Sequence, residues 1–297
     1  MSDEGVEGTV LGTLVMPYCS GIGNLIFAFV LGIKRGPGAE VLTNALVNNV
    51  TNLTLLIGLP AAIWGMSVSP AKKLKSKKNK AQTQEHKINR LSMLLTLTAG
   101  LFFTGAVWAL GRDGKLDFGD GLVLIGLFLF WQCFHVFEVL KTNVRQNKSY
   151  SWTLPFNLAL LGLGAYITYF TTDWLVDWLS GIHTGFISAK YLGWLSGWLM
   201  VLPNGILAFY YAWRGNPEIV YTSQVGDGHI SIPLCLGIFA LYQPIQIPAF
   251  FRFAVLILLI AAFAHFFFVA LLGRLPRFIG WLLTAGYGLF LLKGLPQ

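Results

Sequence analysis

The sequence predicts an all-α, polytopic membrane protein of about nine transmembrane helices, built as inverted-topology repeats with helices broken at the bilayer midplane. The first observation behind this is composition: of 297 residues, 55% are hydrophobic and only 11% are charged, less than half the charged fraction of a soluble domain. The second is length, because apolar runs able to cross about 30 Å of hydrocarbon recur from end to end. The third is a helical hairpin pattern that occurs twice. A mean hydropathy of +0.63 excludes a soluble globular protein on the same grounds.

The spans lie near 9–33, 41–65, 91–111 and 118–140 in a first half (residues 1–142). In a second half (143–297) they lie near 152–171, 188–213, 218–241, 248–272 and 275–294. The opening segment, Met1 to Gly8, is acidic and lacks the basic region of a cleaved signal peptide, so the first span is expected to be retained. Residues 173–187, with Trp174, Trp178, Asp173 and Asp177, read as a short interfacial stretch rather than a further crossing.

Net charge is +8, which in a soluble chain would suggest a nucleic-acid partner. Here eight basic residues crowd between Lys72 and Arg90, so the charge reads as a topology signal and no nucleic acid is expected. The positive-inside rule places loop 66–90 in the cytoplasm. Alternation then puts the N-terminus in the cytoplasm and the C-terminus outside, with 14 of the 21 Lys and Arg on the inner side. A lipid-binding patch is the competing reading of the lysine run. Cys19, Cys133 and Cys235 occupy separate apolar stretches without C-x-x-C spacing, which fits structural thiols and neither a disulfide framework nor a zinc site.

The repeat appears on comparing Gly23–Val41 with Pro203–Val220. Each has an Asn followed four residues on by Ala-Phe: Asn24, Ala28 and Phe29, then Asn204, Ala208 and Phe209. Each closes its span with a basic residue and glycine, turns at Pro37 or Pro217, and reaches Glu40 or Glu218. These hairpins open at the first and sixth spans, an odd number of crossings apart, so the copies run oppositely through the bilayer, as in secondary transporters. Pro17, Gly21 and Gly23 in the first span, Pro203 and Gly205 in the sixth, and Gly226, Gly228 and Pro233 in the seventh mark expected breaks. Backbone freed at that depth needs protein or a wet cavity to satisfy it. The competing reading of each is a packing kink.

The second span carries Asn44, Asn48, Asn49, Thr51 and Asn52 in an otherwise apolar run. Asn44, Asn48 and Asn52 are four apart and share a helix face, with Asn49 about 100° round from Asn48. Amides facing lipid are unfavourable, so these turn inward, either as a polar pathway or as interhelical hydrogen bonds. The seventh span offers Thr222, Ser223, Gln224, Asp227, His229 and Ser231. The register set by Glu40 and Glu218 pairs Asn49 with Asp227, the only acid near the middle of a span. An intramembrane carboxylate needs a cation or a dedicated partner, which makes Asp227 a site candidate; a structural pair with His229 or an Asn is the alternative. Glu40 and Glu218 read as helix-start charges. Glu138 and His135 read as snorkelling or pairing with Lys141, and His265, among phenylalanines, as a packed core residue.

These residues resemble the cation/calcium exchanger superfamily, the sodium/calcium exchangers and their relatives. The stretch TNALVNNVTNLTLLIGL is similar to the first α-repeat, roughly G-N-x-x-G-S-N-x-x-N before an apolar run, with Asn44, Asn49 and Asn52 on the Asn positions. GWLMVLPNGILAFYYAWRGN is similar to the second copy of the G-T-S-L-P-E helix, SQVGDGHI to the G-S-D element, and GKLDFGDGLVLIGLFLFW to the helix closing the first half. The likeness covers nearly the whole chain, with nine spans against the usual ten. It implies that the two central calcium-binding glutamates of the family fall on Asn24 and Asn204. Ser20 and Ser223 keep ligand positions, while Ala45, Met200 and Val201 fill others.

What the resemblance implies is a secondary cation antiporter, not an enzyme; HExxH, GxSxG and Walker A motifs do not occur. Asn24, Asn49, Asn204 and Asp227 would line a midplane ion site, with Asn52, Ser20, Ser223 and Gln224 adding oxygens. The first and sixth spans would move against the remaining bundle to expose it to each side in turn. No cofactor is expected beyond the transported cation, Ca2+, Na+ or H+, and the partners are the lipid bilayer and inorganic cations. Calcium takes six to eight oxygens, usually with several carboxylates; one Asp and several amides alter the expected selectivity. A proton-coupled monovalent antiporter, and an exchanger-fold protein that binds an ion or partner without exchange, are the alternatives.

Overall fold

The structure, a computed structural model, describes residues 16–68, 78–143 and 153–296. In chain order the helices are α1 (Met16–Ile33), α2 (Gly38–Val50), α3 (Ile57–Trp64), α4 (Lys78–Leu110), α5 (Phe118–Asn143), α6 (Thr153–Ser180), α7 (Leu192–Trp213), α8 (Pro217–Ile230), α9 (Leu236–Tyr242), α10 (Phe251–Leu272) and α11 (Arg277–Gly294). A π-helical turn, Thr51–Leu56, joins α2 to α3, and another, Ser231–Cys235, joins α8 to α9. Four two-residue strands connect helices: β1 (Met66–Ser67), β2 (Lys115–Leu116), β3 (Ile245–Gln246) and β4 (Arg274–Leu275).

Among the described residues, five helices are long and apolar enough to cross a membrane: Gly38–Trp64, Arg90–Asp113, Ala189–Trp213, Pro217–Tyr242 and Phe251–Leu272. Two shorter apolar helices, Gly21–Ile33 and Phe118–Phe134, accompany them. Their outer faces carry Phe130 and Ile206, and α11 carries Leu292, each more than 70% exposed, while Asn24, Asn48, Asn52 and Asp227 are 1% exposed or less. Amides and a carboxylate inside with phenylalanine and leucine outside is the polarity of a protein whose solvent is lipid.

The hairpins α1–α2 and α7–α8 are built alike. Each turn has one residue with positive φ, Arg35 (51°) and Gly215 (74°). Each closes with a bond spanning five residues, Gly36 N to Leu31 O and Asn216 N to Tyr211 O, both 2.9 Å, the six-to-one contact of a Schellman turn. Pro37 and Pro217 then set the helical φ at the entry to α2 and α8. Equivalent positions are 180 residues apart in the turns (Arg35 and Gly215) and again at the π turns (Thr51 and Ser231). That corrects the register taken from Glu40 and Glu218, which is two residues out; Asn49 falls opposite His229, not Asp227.

Contacts between the halves exchange partners. Helix α1 packs on α8 and α7 on α2, α3 packs on α11 and α9 on α5, and α4 packs on α10. The short strands follow suit, β1 pairing with β4 and β2 with β3, both antiparallel. Close helix approach is set by glycine where the halves meet: a Cβ on Gly21 would stand 2.6 Å from the Cβ of Ile230.

One further expectation is corrected, and two helices prove longer than the spans expected of them. Helices α1 and α7 are continuous, with Pro203 accommodated inside α7; the irregular backbone lies in the second and seventh spans, as π turns. The third span lies where expected, at Arg90–Asp113, but the helix that carries it begins earlier, at Lys78, because residues 78–99 contain neither Pro nor Gly and helical propensity carries the helix through the basic segment. Residues 173–180, expected as a separate short stretch, continue α6 as helix. Asp173 and Asp177, four apart and so on one face, receive Lys34 from the end of α1 at 2.8 and 2.5 Å. At the start of α5, Asp117 and Asp120 form a reciprocal cap: Asp117 N donates to Asp120 Oδ2 at 2.9 Å, and Gly119 N to Asp117 Oδ1 at 3.0 Å. The amide of Asp120, that of Gly119 and Lys115 together hold the Asp117 carboxyl below its usual range.

Candidate cation site

Asp227 is fully buried on α8, and its two oxygens collect amides from both halves. Asn24 Nδ2, from α1, donates to Oδ1 at 3.3 Å. Asn52 Nδ2, in the first π turn, donates to Oδ2 at 2.7 Å, and Asn204 Nδ2, from α7, approaches the same oxygen at 3.4 Å. A closed ring results, because Asn52 also donates to Asn48 Oδ1 at 2.7 Å and Asn48 Nδ2 to Asn24 Oδ1 at 2.9 Å. The π turn matters here: Ile57 N–H reaches back to Asn52 O, five residues away, and the extra residue in that turn brings Asn52 round to Asp227.

Gln224 lies one turn before Asp227 and donates to the Asn204 carbonyl at 3.3 Å and to Ser223 Oγ at 3.4 Å. Among the described residues, two buried oxygens at this cluster have no hydrogen-bond partner, Asn52 Oδ1 and Gln224 Oε1. Unpartnered acceptors beside a carboxylate are costly unless something cationic takes them. Each amide also carries one oxygen and one NH2, and half a turn about its last torsion exchanges them. Groups that donate to Asp227 can therefore offer oxygen to an ion beside it.

Of the expected residues, the fold brings Asn24, Asn52, Asn204 and Asp227 together, with Gln224 and Ser223 adjoining. Asn49 is not in the ring. Its Nδ2 donates to Ala45 O and to Ser231 Oγ, both at 2.7 Å, and its Oδ1 fits against Gly228, where an added Cβ would be 2.5 Å away. The residue missed was Asn48, which holds Asn24 and Asn52 at once; its place in the series Asn44, Asn48, Asn52 was the available signal. The side chain of Ser20 lies outside the described residues, as do those of Glu138, His135 and Cys19. Among the described residues no group of three His, Cys, Asp or Glu could hold a metal, so the site is one of amides around a single acid.

Neighbouring polar groups have other partners. Asn44 Nδ2 donates to Ser196 Oγ at 3.0 Å. Glu40, instead of serving only its own helix, accepts from Gly193 N at the start of α7 at 2.6 Å. His229 pairs with the Thr96 carbonyl at 2.9 Å. His265 is buried, as expected, but hydrogen-bonded at both nitrogens, to Tyr221 OH at 3.3 Å and Leu53 O at 2.8 Å.

The family model described as sodium/calcium exchanger protein matches this chain over residues 2–137 and again over 156–293. The chain belongs to the sodium/calcium exchanger family. It is accordingly an integral, multi-pass membrane protein. Comparison with curated proteins finds no match. Solved structures of the sodium-calcium exchanger NCX_Mj share the fold. One soaked with 100 mM Na+ and 10 mM Sr2+ is 20% identical, with a TM-score of 0.63 over 100% of this chain and 90% of that one. Another, soaked with 2.5 mM Na+ and 1 mM Sr2+, is 19% identical at a TM-score of 0.63, covering 99% and 89%. A third, soaked with zero Na+ and Ca2+, is 18% identical at 0.62, again covering 99% and 89%.

Proposed function

We propose that this chain is a secondary cation antiporter whose ion sits at Asp227, and that it favours a monovalent cation or a proton over Ca2+. The observation that carries this is the ring itself: one buried carboxylate, met by Asn24, Asn52 and Asn204 from both halves. One negative charge balances one positive charge. A divalent ion there would keep a net charge in a low-dielectric interior, where an uncompensated ion is disfavoured by several kcal/mol. Structures of the solved exchanger named above were soaked with Na+ together with Ca2+ or Sr2+, which fits cations as cargo.

The exchange of partners between halves supports inverted repeats and alternating access, with α1 and α7 moving against the rest. Nine crossings, with the N-terminus and loop 66–90 cytoplasmic and the C-terminus external, complete this reading. Purified protein in vesicles, loaded with sodium on one side, is expected to drive counterflow of sodium-22 and to acidify or alkalinise the lumen in step. Calcium-45 counterflow exceeding that of sodium-22 would overturn the selectivity. Cation binding without any counterflow would favour the non-exchanging alternative.

A further inference from the structure

Resting on the reading of the amide ring as the ion site, we propose that His265 is a positioning residue for it, fixing the π turn that presents Asn52 to Asp227. The π turn leaves one carbonyl without its ordinary helical donor. Ile57 N–H bonds to Asn52 O and Thr54 O and passes over Leu53 O, which sits between them. His265 Nε2, from α10, takes that carbonyl at 2.8 Å. A carbonyl only accepts, so Nε2 carries the proton and Nδ1 is the acceptor, free to receive the Tyr221 hydroxyl at 3.3 Å. Tyr221 lies on α8, under two turns before Asp227.

The clamp therefore joins three elements: α10, the π turn after α2, and α8. Tyr221 and His265 are both wholly buried, and their rings meet edge to face at a centroid separation of 5.5 Å. Leu53 is the neighbour of Asn52, so the group that receives His265 and the group that reaches Asp227 are consecutive along the chain. In the other half, His229 on α8 reaches the Thr96 carbonyl on α4, so each discontinuous helix is tied to the bundle helix of the opposite half. The hydrogen bonds of His265 go to Leu53 and Tyr221, so it acts on the ring through them.

Three variants in reconstituted vesicles test this: His265→Gln, which keeps a donor and an acceptor; His265→Leu, which removes both; and Tyr221→Phe, which removes only the hydroxyl. His265→Leu is expected to raise the half-saturating cation concentration about tenfold and to lower maximal exchange much less, with Tyr221→Phe between it and the wild type. His265→Gln is expected to stay within about threefold of the wild type. Amide hydrogen exchange over residues 51–58 is expected to rise in His265→Leu and not in His265→Gln, and it reads the clamp whether or not the wild type exchanges ions. Wild-type affinity in both His265→Leu and Tyr221→Phe would overturn the proposal, as would unchanged hydrogen exchange over 51–58. Absent wild-type counterflow, with the hydrogen-exchange difference intact, would sink the antiporter reading and leave the clamp standing.

Discussion

Asn52 and Asp227 come from discontinuous helices in opposite halves of the chain and meet at 2.7 Å. That contact needs the π turn on one side and a buried carboxylate on the other, and it makes the site a joint product of both repeats.

Removing the charge tests the centre directly. Asp227→Asn keeps the shape and offers an amide to the ring, yet leaves nothing to balance a cation. Loss of a buried partner charge of this kind costs about 3–5 kcal/mol, so sodium-22 exchange is expected to fall at least about 100-fold while detergent-solubilised protein keeps its wild-type elution profile. Full exchange in this variant would refute the role of Asp227.

Adding charge should move selectivity the other way. Asn24 and Asn204 both approach the carboxylate, and Asn24→Glu with Asn204→Glu would create three acids where calcium finds one. Calcium-45 uptake is expected to rise relative to sodium-22 by about tenfold or more. An unchanged ratio would mean that charge at these two positions does not set selectivity.

The ring and the Gly228 contact make different demands on adjacent residues. Asn48→Ala breaks two bonds of the ring and is expected to weaken cation binding about tenfold. Asn49→Ala, which faces Ala45 and Ser231 instead, is expected to change affinity less. Equal effects on titration of the two variants with sodium would contradict the observed register.

Packing at Gly228 gives a stability prediction. A methyl there would stand 2.5 Å from Asn49 Oδ1, so Gly228→Ala is expected to cost about 1–3 kcal/mol through overpacking, read as a lower Tm in detergent. A Tm equal to that of the wild type would show that Asn49 yields.

At the bundle surface, Lys34 binds Asp173 and Asp177. Partial burial works against its charge, but the hydrogen bonds and charges of the two carboxylates outweigh it and hold the ammonium above the ordinary lysine value of 10.5. A raised pKa means that this contribution is complete below about pH 10.5 and fades as pH climbs through the folded value. With carboxylates 38% and 67% exposed, solvent screening keeps it to about 1 kcal/mol at most. Lys34→Met is therefore expected to lower Tm slightly at pH 7, with the difference fading once the pH has climbed past the raised lysine value. A Tm difference that is the same on both sides of that value would show that the ion pair is not its source.

Much of this was legible in the sequence because lipid enforces simple rules. Asn24, Asn204 and Asp227 announced themselves as polar groups in apolar spans, and such groups must turn inward. The first π turn did not: TNLTLL contains neither proline nor glycine, and its geometry is set by what Asn52 and Leu53 must reach in distant helices; the second, SIPLC, holds Pro233, where a break was expected. Glu40 and Glu218 misled the register, since Glu40 is bound to Gly193 across the bundle and marks no equivalent place in the repeat. Helix α6 ran past its expected end because nothing between Gly164 and Gly181 breaks it, and the acids that suggested an interface are the ones that hold Lys34.

The crossed packing of α1 on α8 and α2 on α7 also governs how the molecule is made. When the ribosome has delivered only the first half, α2 has no α7 to lie against, and its row of amides must wait among acyl chains or be sheltered by the insertion machinery. Cover for that row comes only with the second hairpin, so truncation before residue 230 is expected to leave the earlier helices without the partners they pack on.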